Sequence, residues 1–394
     1  MASVQEIPRS DTPGWLTIID RYMLRQFVQT FVICFISLTG LYIVIDGFAN
    51  LEEFIIYAQK KGSLLTVMGE YYAYRTLSFF DTTSALLTLI SAMFTVTWIQ
   101  RHNELTALEA AGIPSRRVIR PVIIAVVLIS CLSAANRDLV IPTVRGHLSH
   151  NAQDLGGSSG KPLQPRYDNE TDVLLGSSGS KLFGDQQRIH KPDFYLPAGL
   201  DNYGARLVAE NAFYQSPHDG QPGGYRFDNL EQPKGLDTAA SLGLGERAVL
   251  LTPRDYPWLK PGECFLASNV SFEHLEGGSS WVAFSSTAEL WRGLRNRSLD
   301  FGAGERLAIH SRLIKVPLDV TLLFLGLPLV LSRTNRNVFV AIGLCLALVV
   351  AFMLVVSACE KLGSGYWIEP ALAAWLPLMI FVPCAFALYQ PLRE

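Results

Sequence analysis

Long apolar segments without charge are the feature that most restricts how this chain can fold. The first, 27–45, has 19 uncharged residues, which as a helix rising about 1.5 Å per residue cross a hydrocarbon core of about 30 Å. Further candidate spans are 82–99, 121–135, 316–332, 338–359 and 370–392, and the fourth of the six is apolar except for Asp319. Because lipid offers no partners to backbone N–H and C=O groups, each span is expected to be helical.

The segment between the third and fourth spans, 136–311, has a different composition. It holds 21 of the 31 glycines, and β-rich runs alternate with Gly, Pro, Asn and Asp clusters, a pattern typical of an all-β sandwich or open roll. Expected strands are 193–196, 206–214, 225–227, 264–272 and 281–285, and one amphipathic helix is expected at 287–296. The Gly/Ser-rich stretches 156–161 and 176–180 are expected to be mobile linkers.

Overall composition excludes one large class of partners. The chain has 33 basic and 35 acidic side chains and a net charge of −2, whereas a nucleic-acid-binding protein needs a clustered excess of Lys and Arg. A mean hydropathy of +0.24 looks only mildly apolar because it averages uncharged spans with a polar central domain.

Basic residues flanking the spans predict the orientation in the membrane. Ten lie on one side: Arg9, Arg21, Arg25, Arg101, Arg116, Arg117, Arg120, Arg333, Arg336 and Arg393. Four lie on the other: Lys60, Lys61, Arg75 and Lys361. Since positively charged loops stay in the cytoplasm, both termini are predicted to be cytoplasmic and the β domain to be exported. The first span is followed by Asp46, Phe48 and Asn50 rather than by small residues, which predicts a retained anchor.

The sequence shows no convincing catalytic, nucleotide-binding or metal site. The run 156–160 matches a nucleophile-elbow pattern but has no strand before it, and Gly160-Lys161 lacks the remaining residues of a phosphate-binding loop. His147 and His150 have no third ligand nearby. Cys264 is the only cysteine of the exported domain, so that domain is expected to fold without an internal disulfide. No cofactor and no metal are expected.

The segment 101–121 predicts a short cytoplasmic helix over 103–112. Asn103 is a suitable N-cap, Glu104 complements the helix dipole, and Gly112 provides the stop. Leu105 and Leu108 fall on one face. From the residues alone, this helix is either a connector lying on the membrane surface or a docking helix that fits a groove in a partner.

Three local runs resemble the LptF/LptG family of permeases, the membrane subunits of the lipopolysaccharide-export ABC transporter. The first is 20–25, which leads into a span that ends at 40–46. The second is Asn103-Glu104-Leu105 with Ala107, Leu108 and 111–113, and it is followed by Arg116, Arg117 and Pro121. The third is Pro317 with 326–328. The three-plus-three order of spans around an exported β domain is similar as well.

The resemblance implies a membrane α-helical fold with six transmembrane helices and an inserted periplasmic β-jellyroll-like domain. Such a permease pairs with a second, related permease, is driven by a dimeric cytoplasmic ABC ATPase, and passes lipid to a periplasmic bridge of similar β folds. Carried onto this sequence, 103–112 becomes the coupling helix, in which Glu104 makes a polar contact with the ATPase and Leu105 and Leu108 pack in its groove before Gly112 ends the helix. The expected domains are 1–135, 136–311 and 312–394.

A carrier of phosphorylated glycolipid needs Lys or Arg at the outer mouth of its cavity. Here the first span exits through Asp46, Glu52 and Glu53. Candidates for binding the headgroup are Arg75, Arg312 and Lys315, which could equally be interfacial anchors. Lys315 also stands at i−4 from Asp319 and is its expected intramembrane partner.

The expected function is thus lipopolysaccharide or glycolipid export from a bacterial inner membrane by a subunit that is not itself an enzyme. The alternatives are a membrane-anchored envelope enzyme or a scaffold, each acting through the exported β domain.

Overall fold

The structure is a computed structural model that describes residues 18–149, 152, 160–177, 179–197, 205–218, 221–244, 247–299, 302–331 and 338–389. Long helices form both ends of the chain, and a β domain lies between them in sequence. The N-terminal helices are α1 Ile18–Ala49, α2 Leu51–Lys61, α3 Leu64–Arg101, α4 Glu104–Ala110 and α5 Ser115–Ala135. The C-terminal helices are α9 Ala303–Leu331, α10 Val338–Ser364 and α11 Pro370–Tyr389.

Five helical segments among the described residues are long and apolar enough to cross a membrane. They are Ile18–Ala49, Leu64–Arg101, Ser115–Ser149, Leu346–Ser364 and Pro370–Leu388. They correspond to the first, second, third, fifth and sixth predicted spans. The fourth predicted span lies in α9, which is helical but is not among the five, so the count of six stays a prediction.

Helical structure continues across the predicted start of the central domain. After α5, a π-helical turn over Asn136–Val140 and a 3₁₀ turn over Ile141–Val144 lead into α6 Arg145–Ser149. At the other boundary, α9 begins at Ala303, eight residues before the predicted limit at 311. The two membrane halves therefore extend helices towards the β domain on both sides.

The central domain is a β-sheet domain, as the sequence predicts, and it contains one branched antiparallel sheet. Its strands are β1 Lys161–Pro162, β2 Arg166–Asp168, β3 Val173–Leu175, β4 Lys181–Phe183, β5 Arg188–His190, β6 Asp193–Tyr195, β7 Arg206–Gln215, β8 Gly224–Gln232, β9 Leu242–Leu244, β10 Arg247–Leu251 and β11 Cys264–Ala267. The main path runs β1-β4-β5-β7-β8-β11-β10-β9, and β2, β3 and β6 form a branch that joins at β7. One face carries a core in which Phe194 meets Phe227 edge-on, with ring centroids 5.2 Å apart.

Two strand predictions in this domain are wrong. The predicted strand 264–272 ends at Ala267, and the predicted strand 281–285 lies mostly in a helix, α7 Phe272–Phe284. The pair Gly277-Gly278 lowers local helix propensity, but Phe272, Leu275 and Trp281 of α7 are all buried in the β-domain core. Burial of these three side chains outweighs the local signal.

The predicted helix at 287–296 is confirmed as α8 Thr287–Arg295. Its start is fixed by a capping box, in which the Glu289 N–H donates to Ser286 Oγ at 3.1 Å and the Ser286 N–H donates to Glu289 Oε2 at 2.8 Å.

The described residues of the glycine-rich stretch 176–180, which are 176–177 and 179–180, lie between β3 and β4 and make specific contacts. Gly176 has φ +98°, and a Cβ there would lie 1.5 Å from Leu163 Cδ2. The buried Ser180 hydroxyl donates to the Lys191 carbonyl at 2.8 Å. Most of the other predicted linker, 156–161, lies outside the described residues.

Candidate functional site

The short helix α4 lies between α3 and α5 in the N-terminal membrane half. Its seven residues, Glu104–Ala110, are fewer than the sequence predicts. Gly112 follows with φ +82°, a backbone conformation that glycine adopts without a steric cost. Asn103 occupies the N-cap position, as predicted, but it has φ +57° and makes no side-chain cap hydrogen bond. Asparagine is instead suited to this position because it tolerates the left-handed region.

The two leucines of α4 pack against this chain. Leu105 is buried and Leu108 is half-buried in a core cluster that includes Met23 of α1, Ile99 of α3 and Val118 of α5. This packing holds α4 against the membrane helices. The side chains that α4 leaves exposed are Thr106, Ala107 and Ala110.

Polar contacts from the first turns of α1 fix α4 and α5 from the side. The Tyr22 hydroxyl donates to Glu104 Oε2 at 3.1 Å. The Arg117 guanidinium donates to Asp20 Oδ2 at 3.0 Å, and the Asp20 side chain is only 7% exposed. The resemblance includes the run 20–25 but assigns Asp20 and Tyr22 no role. The signal in the sequence is the opposite charge of Asp20 and Arg117, two residues predicted on the same side of the membrane.

A buried ionic cluster joins α3, α5 and α9 near the β domain. Asp81 of α3 is at its centre and receives hydrogen bonds from Arg137 Nε at 2.7 Å and from the Ser133 hydroxyl at 3.1 Å. The Lys315 ammonium donates to the Asp81 carboxylate, to the Asp81 carbonyl at 2.8 Å, and to Ser133 Oγ at 2.9 Å. The Ser84 hydroxyl adds a contact to Ser133 Oγ at 3.0 Å. One carboxylate thus compensates two cations.

The partner of Lys315 is Asp81 and not the predicted Asp319. The i, i+4 spacing places Lys315 and Asp319 on one face of α9, but the Lys315 ammonium turns towards α3, where the carboxylate and a carbonyl both accept from it. Asp319 is buried, and its Oδ2 atom has no hydrogen-bond partner among the residues that the structure describes.

Arg312, a second predicted headgroup residue, is bound to the β domain. Its guanidinium donates to the carbonyls of Val282 and Ser285, each at 2.7 Å, and its side chain is only 8% exposed. These carbonyls lie at the C-terminal end of α7, where unpaired acceptors and the negative end of the helix dipole favour a cation. Arg312 therefore ties α9 to α7.

Arg75, the third predicted headgroup residue, lies on α3 beside the acidic exit of the first span. Its guanidinium carbon lies 4.9 Å from the centre of the Tyr71 ring. Next to it, the Tyr72 hydroxyl donates to Asp46 Oδ2 at 2.9 Å. Glu52 and Glu53 begin α2, which follows directly after α1. The predicted acidic residues and Arg75 are thus brought to one end of the first two long helices.

The remaining sequence candidates have structural surroundings. The Lys161 ammonium contacts Glu276 Oε1 at 3.1 Å and the Ser149 hydroxyl at 3.2 Å, which joins β1 to helices α6 and α7. His147 stacks on Tyr74 with ring centroids 4.4 Å apart, and His150 lies outside the described residues. Cys264 is fully buried, and burial raises the pKa of its thiol. Within the described ranges, no group of three or more His, Cys, Asp and Glu side chains could hold a metal ion.

Comparison with known proteins identifies the family. The family model described as lipopolysaccharide export system permease LptF/LptG matches residues 21–160 and 282–391, which together are more than half of the chain. These segments contain α4 and all five apolar spans apart from residues 18–20, and they contain the ionic cluster. They flank the strands β1 to β11. The curated proteins include no match to this chain. The resemblance inferred from the sequence is confirmed, and the chain is a multi-pass membrane protein that belongs to the LptF/LptG family of lipopolysaccharide export permeases.

Proposed function

We propose that this chain is the permease subunit of an ABC transporter that extracts lipopolysaccharide or a similar glycolipid from the bacterial inner membrane and passes it to a periplasmic bridge. The family supplies the transported class, because its members are lipopolysaccharide export permeases. The proposal adds the energy source, the partners and the orientation. ATP hydrolysis is assigned to a separate cytoplasmic ATPase dimer.

The attachment of α4 is the observation that carries the ATPase coupling. The helix packs through Leu105 on the membrane core and is held by Tyr22 through Glu104. A force applied to the exposed face of α4 is therefore transmitted to α1, α3 and α5. Leu105 and Leu108 act in this proposal as the base of the coupling helix, and Thr106, Ala107 and Ala110 form the face that the ATPase contacts. Gly112 lets the chain turn back into α5.

Charge supports placing α4 in the cytoplasm. The beginning of α1 and the beginning of α5 meet at α4 through the Tyr22–Glu104 and Asp20–Arg117 contacts. Most of the basic residues of the positive side lie in the same region, which the positive-inside tendency assigns to the cytoplasm. The β domain follows the C-terminal end of α5 and precedes the N-terminal end of α9, so this orientation makes it periplasmic.

The exposure of α1 supports a second, related permease as the membrane partner. Within this chain, only 6% of the most apolar 18-residue stretch of α1 is buried. Apolar side chains such as Val32, Ile36 and Val44 are exposed along it. A related permease packed beside α1 would enclose a cavity for the lipid chains, and Arg75 at the mouth is the residue that we retain for contact with the headgroup.

The open edges of the sheet support a bridge made of similar β folds. The main path of the described sheet ends in β1 at one edge and β9 at the other. Edge strands expose unpaired N–H and C=O groups that accept another strand. We place the hand-over of lipid to the bridge at one of these edges.

The test is co-purification of the transporter from detergent with its cytoplasmic ATPase. Ala107→Arg puts a long cation on the exposed face of α4, and Glu104→Arg also removes the acceptor of the Tyr22 hydroxyl. Both variants are expected to lose the ATPase and lipid release. Ala288→Arg is the matched control, since Ala288 is an exposed helical alanine of α8, which this proposal assigns to the opposite side of the membrane, and it should retain both.

Two results would contradict the proposal. Retention of the ATPase and of lipid release in both α4 variants would refute the assignment of α4 as the coupling helix. A wild-type chain that purifies with no ATPase under conditions that preserve membrane complexes would favour the envelope enzyme or the scaffold.

A further inference from the structure

A cavity of about 310 Å³ lies where the β domain meets the C-terminal membrane helices. Its walls come from α8, from the first turns of α9 and from the beginning of α11. The apolar part is formed by Leu294 and Ile309 together with the ring of Trp291. Neither the coupling helix nor the ionic cluster contributes a residue to it.

The α9 wall of this cavity carries groups suited to an anion. Arg306 and His310 stand four residues apart on the helix and both line the cavity. Pro370 and Ala371 place the first turn of α11 there too, where the Ala371 N–H points out of the helix and the dipole favours negative charge, although Pro370 itself has no N–H. In the part of the chain that the structure describes, neither the Arg306 nor the His310 side chain forms a hydrogen bond or an ion pair with the protein. A guanidinium, an imidazole and a helix N-terminus together suit a phosphodiester.

Two other residues that line the cavity are suited to a cation. Glu369 precedes α11 and lines the cavity together with the half-exposed ring of Trp291. Across the described ranges, the Glu369 carboxylate likewise has no ion-pair partner within 4.0 Å. A carboxylate accepts hydrogen bonds from an ammonium group, and the face of an indole ring attracts the same charge.

The cavity lies at the depth where lipid headgroups are found. The candidate span Pro370–Leu388 begins with residues that line it, so the hydrocarbon core starts just beyond. Exposed aromatic side chains mark the same level: Tyr366 and Trp367 in the loop before α11, and Trp375 in its second turn. Tyr and Trp concentrate at the membrane–water interface.

We propose that this cavity binds the headgroup of a phospholipid that carries phosphoethanolamine, with the phosphodiester on Arg306, His310 and the α11 N-terminus and the amine on Glu369 and Trp291. A zwitterionic headgroup is the ligand that satisfies both sets of groups. An anionic phospholipid would place no cation against Glu369. The site is separate from the lipid path proposed above, and it would fix a bilayer lipid where the β domain joins the membrane.

Lipid retention by the purified full-length chain tests this proposal without requiring transport. The chain in detergent is equilibrated with equal amounts of dioleoyl phosphatidylethanolamine and dioleoyl phosphatidylglycerol, and the lipids that remain bound are counted by native mass spectrometry. We expect wild type to prefer the ethanolamine lipid. Glu369→Gln should lower that preference about ten-fold, the equivalent of one lost charge-assisted contact, and Arg306→Gln should lower retention of both lipids.

Matched controls separate the site from general charge effects and from misfolding. Glu305→Gln and Arg297→Gln change the same residue types outside the cavity lining and should behave as wild type. Arg306→Lys, which keeps the charge, should regain most of the retention. Because the preference is a ratio measured on the folded fraction after size exclusion, a smaller yield does not change it. A wild type that prefers phosphatidylglycerol, or an unchanged ratio in Glu369→Gln, would overturn the proposal.

Discussion

Removing both Asp81 and Lys315 charges is expected to destabilise the chain by less than the sum of the two single removals. The Asp81 side chain is 7% exposed, and the side chains of Lys315 and Arg137 are 15% and 27% exposed. Asp81→Asn leaves both cations facing each other without a carboxylate. Loss of one partner of a buried ion pair costs about 3 to 5 kcal/mol, and we expect the lower part of this range because the amide still offers one acceptor.

Lys315→Met has a smaller expected effect. Asp81 keeps Arg137 and Ser133, so the loss is that of a few charge-assisted hydrogen bonds, or about 2 kcal/mol. In the double variant Asp81→Asn/Lys315→Met, the remaining cation no longer faces a second one. The two substitutions should therefore cost less together than the sum of each alone, with a coupling energy of about 2 kcal/mol.

The assay is reversible unfolding of the purified full-length protein in mild detergent micelles, titrated with a denaturing detergent and followed by circular dichroism. A second cycle, Lys315→Met with Asp319→Asn, is the matched comparison, because spacing along α9 would make Asp319 the partner. We expect weak coupling in that cycle. Coupling to Asp81 that is absent, or smaller than coupling to Asp319, would refute the reasoning from the contacts of Lys315.

Two further predictions concern other parts of the fold. Burial, with Arg166 and Arg145 nearby, lowers the pKa of His274 from 6.5 to about 4. The stability that neutral His274 confers is therefore complete above pH 6.5, and it decreases as the pH falls towards 4, by about 2 kcal/mol near pH 5. His274→Gln should lose this slope in thermal melts of the full chain between pH 7 and pH 5, and an equal slope in both proteins would contradict it. A Cβ at Gly363 of α10 would lie 2.6 Å from Ala373 Cβ of α11, whereas none of the described atoms lies within 4 Å of one at Gly40. Gly363→Ala should therefore cost about 1 to 3 kcal/mol in the same denaturation assay while Gly40→Ala is neutral or slightly stabilising, and equal effects would show that α10 and α11 adjust without cost.

The membrane part of the fold could be predicted because its signal is local. An uncharged run of sufficient length can satisfy its backbone only as a helix, and five of the six predicted spans appear as such helices. Local sequence signals did not predict that the strand β11 ends at Ala267 or that the helix α7 follows it. The helicity of α7 depends on burying Phe272 and Trp281 against strands that are distant in sequence, while its own glycine pair argues against a helix.

The sequence predicts where the candidate coupling helix lies but not which way its apolar face points. The sequence identifies 103–112 as a helix between spans, and α4 lies there. The apolar face of such a helix suits a partner's groove and this chain's own core equally well, and only the packing shows that Leu105 faces inward. Similarly, i, i+4 spacing predicts a neighbour for Lys315, whereas Asp81 is 234 residues away in sequence. Contacts between distant segments depend on how the helices assemble.

The helical continuation of α5 through Asn136–Val144 into α6 gives the transporter a lever. About 16 residues separate Ser133 in the ionic cluster from Ser149, a length of about 24 Å at 1.5 Å per residue. If the cluster is the pivot, a tilt of about 10° moves the far end by about 4 Å. That displacement reaches the β domain directly, because Asp138 accepts from Thr287 at the start of α8 and Arg145 pairs with Glu273 and Glu289. A small rotation of α5 within the membrane would thus displace the β-domain helices α7 and α8 by about the same 4 Å.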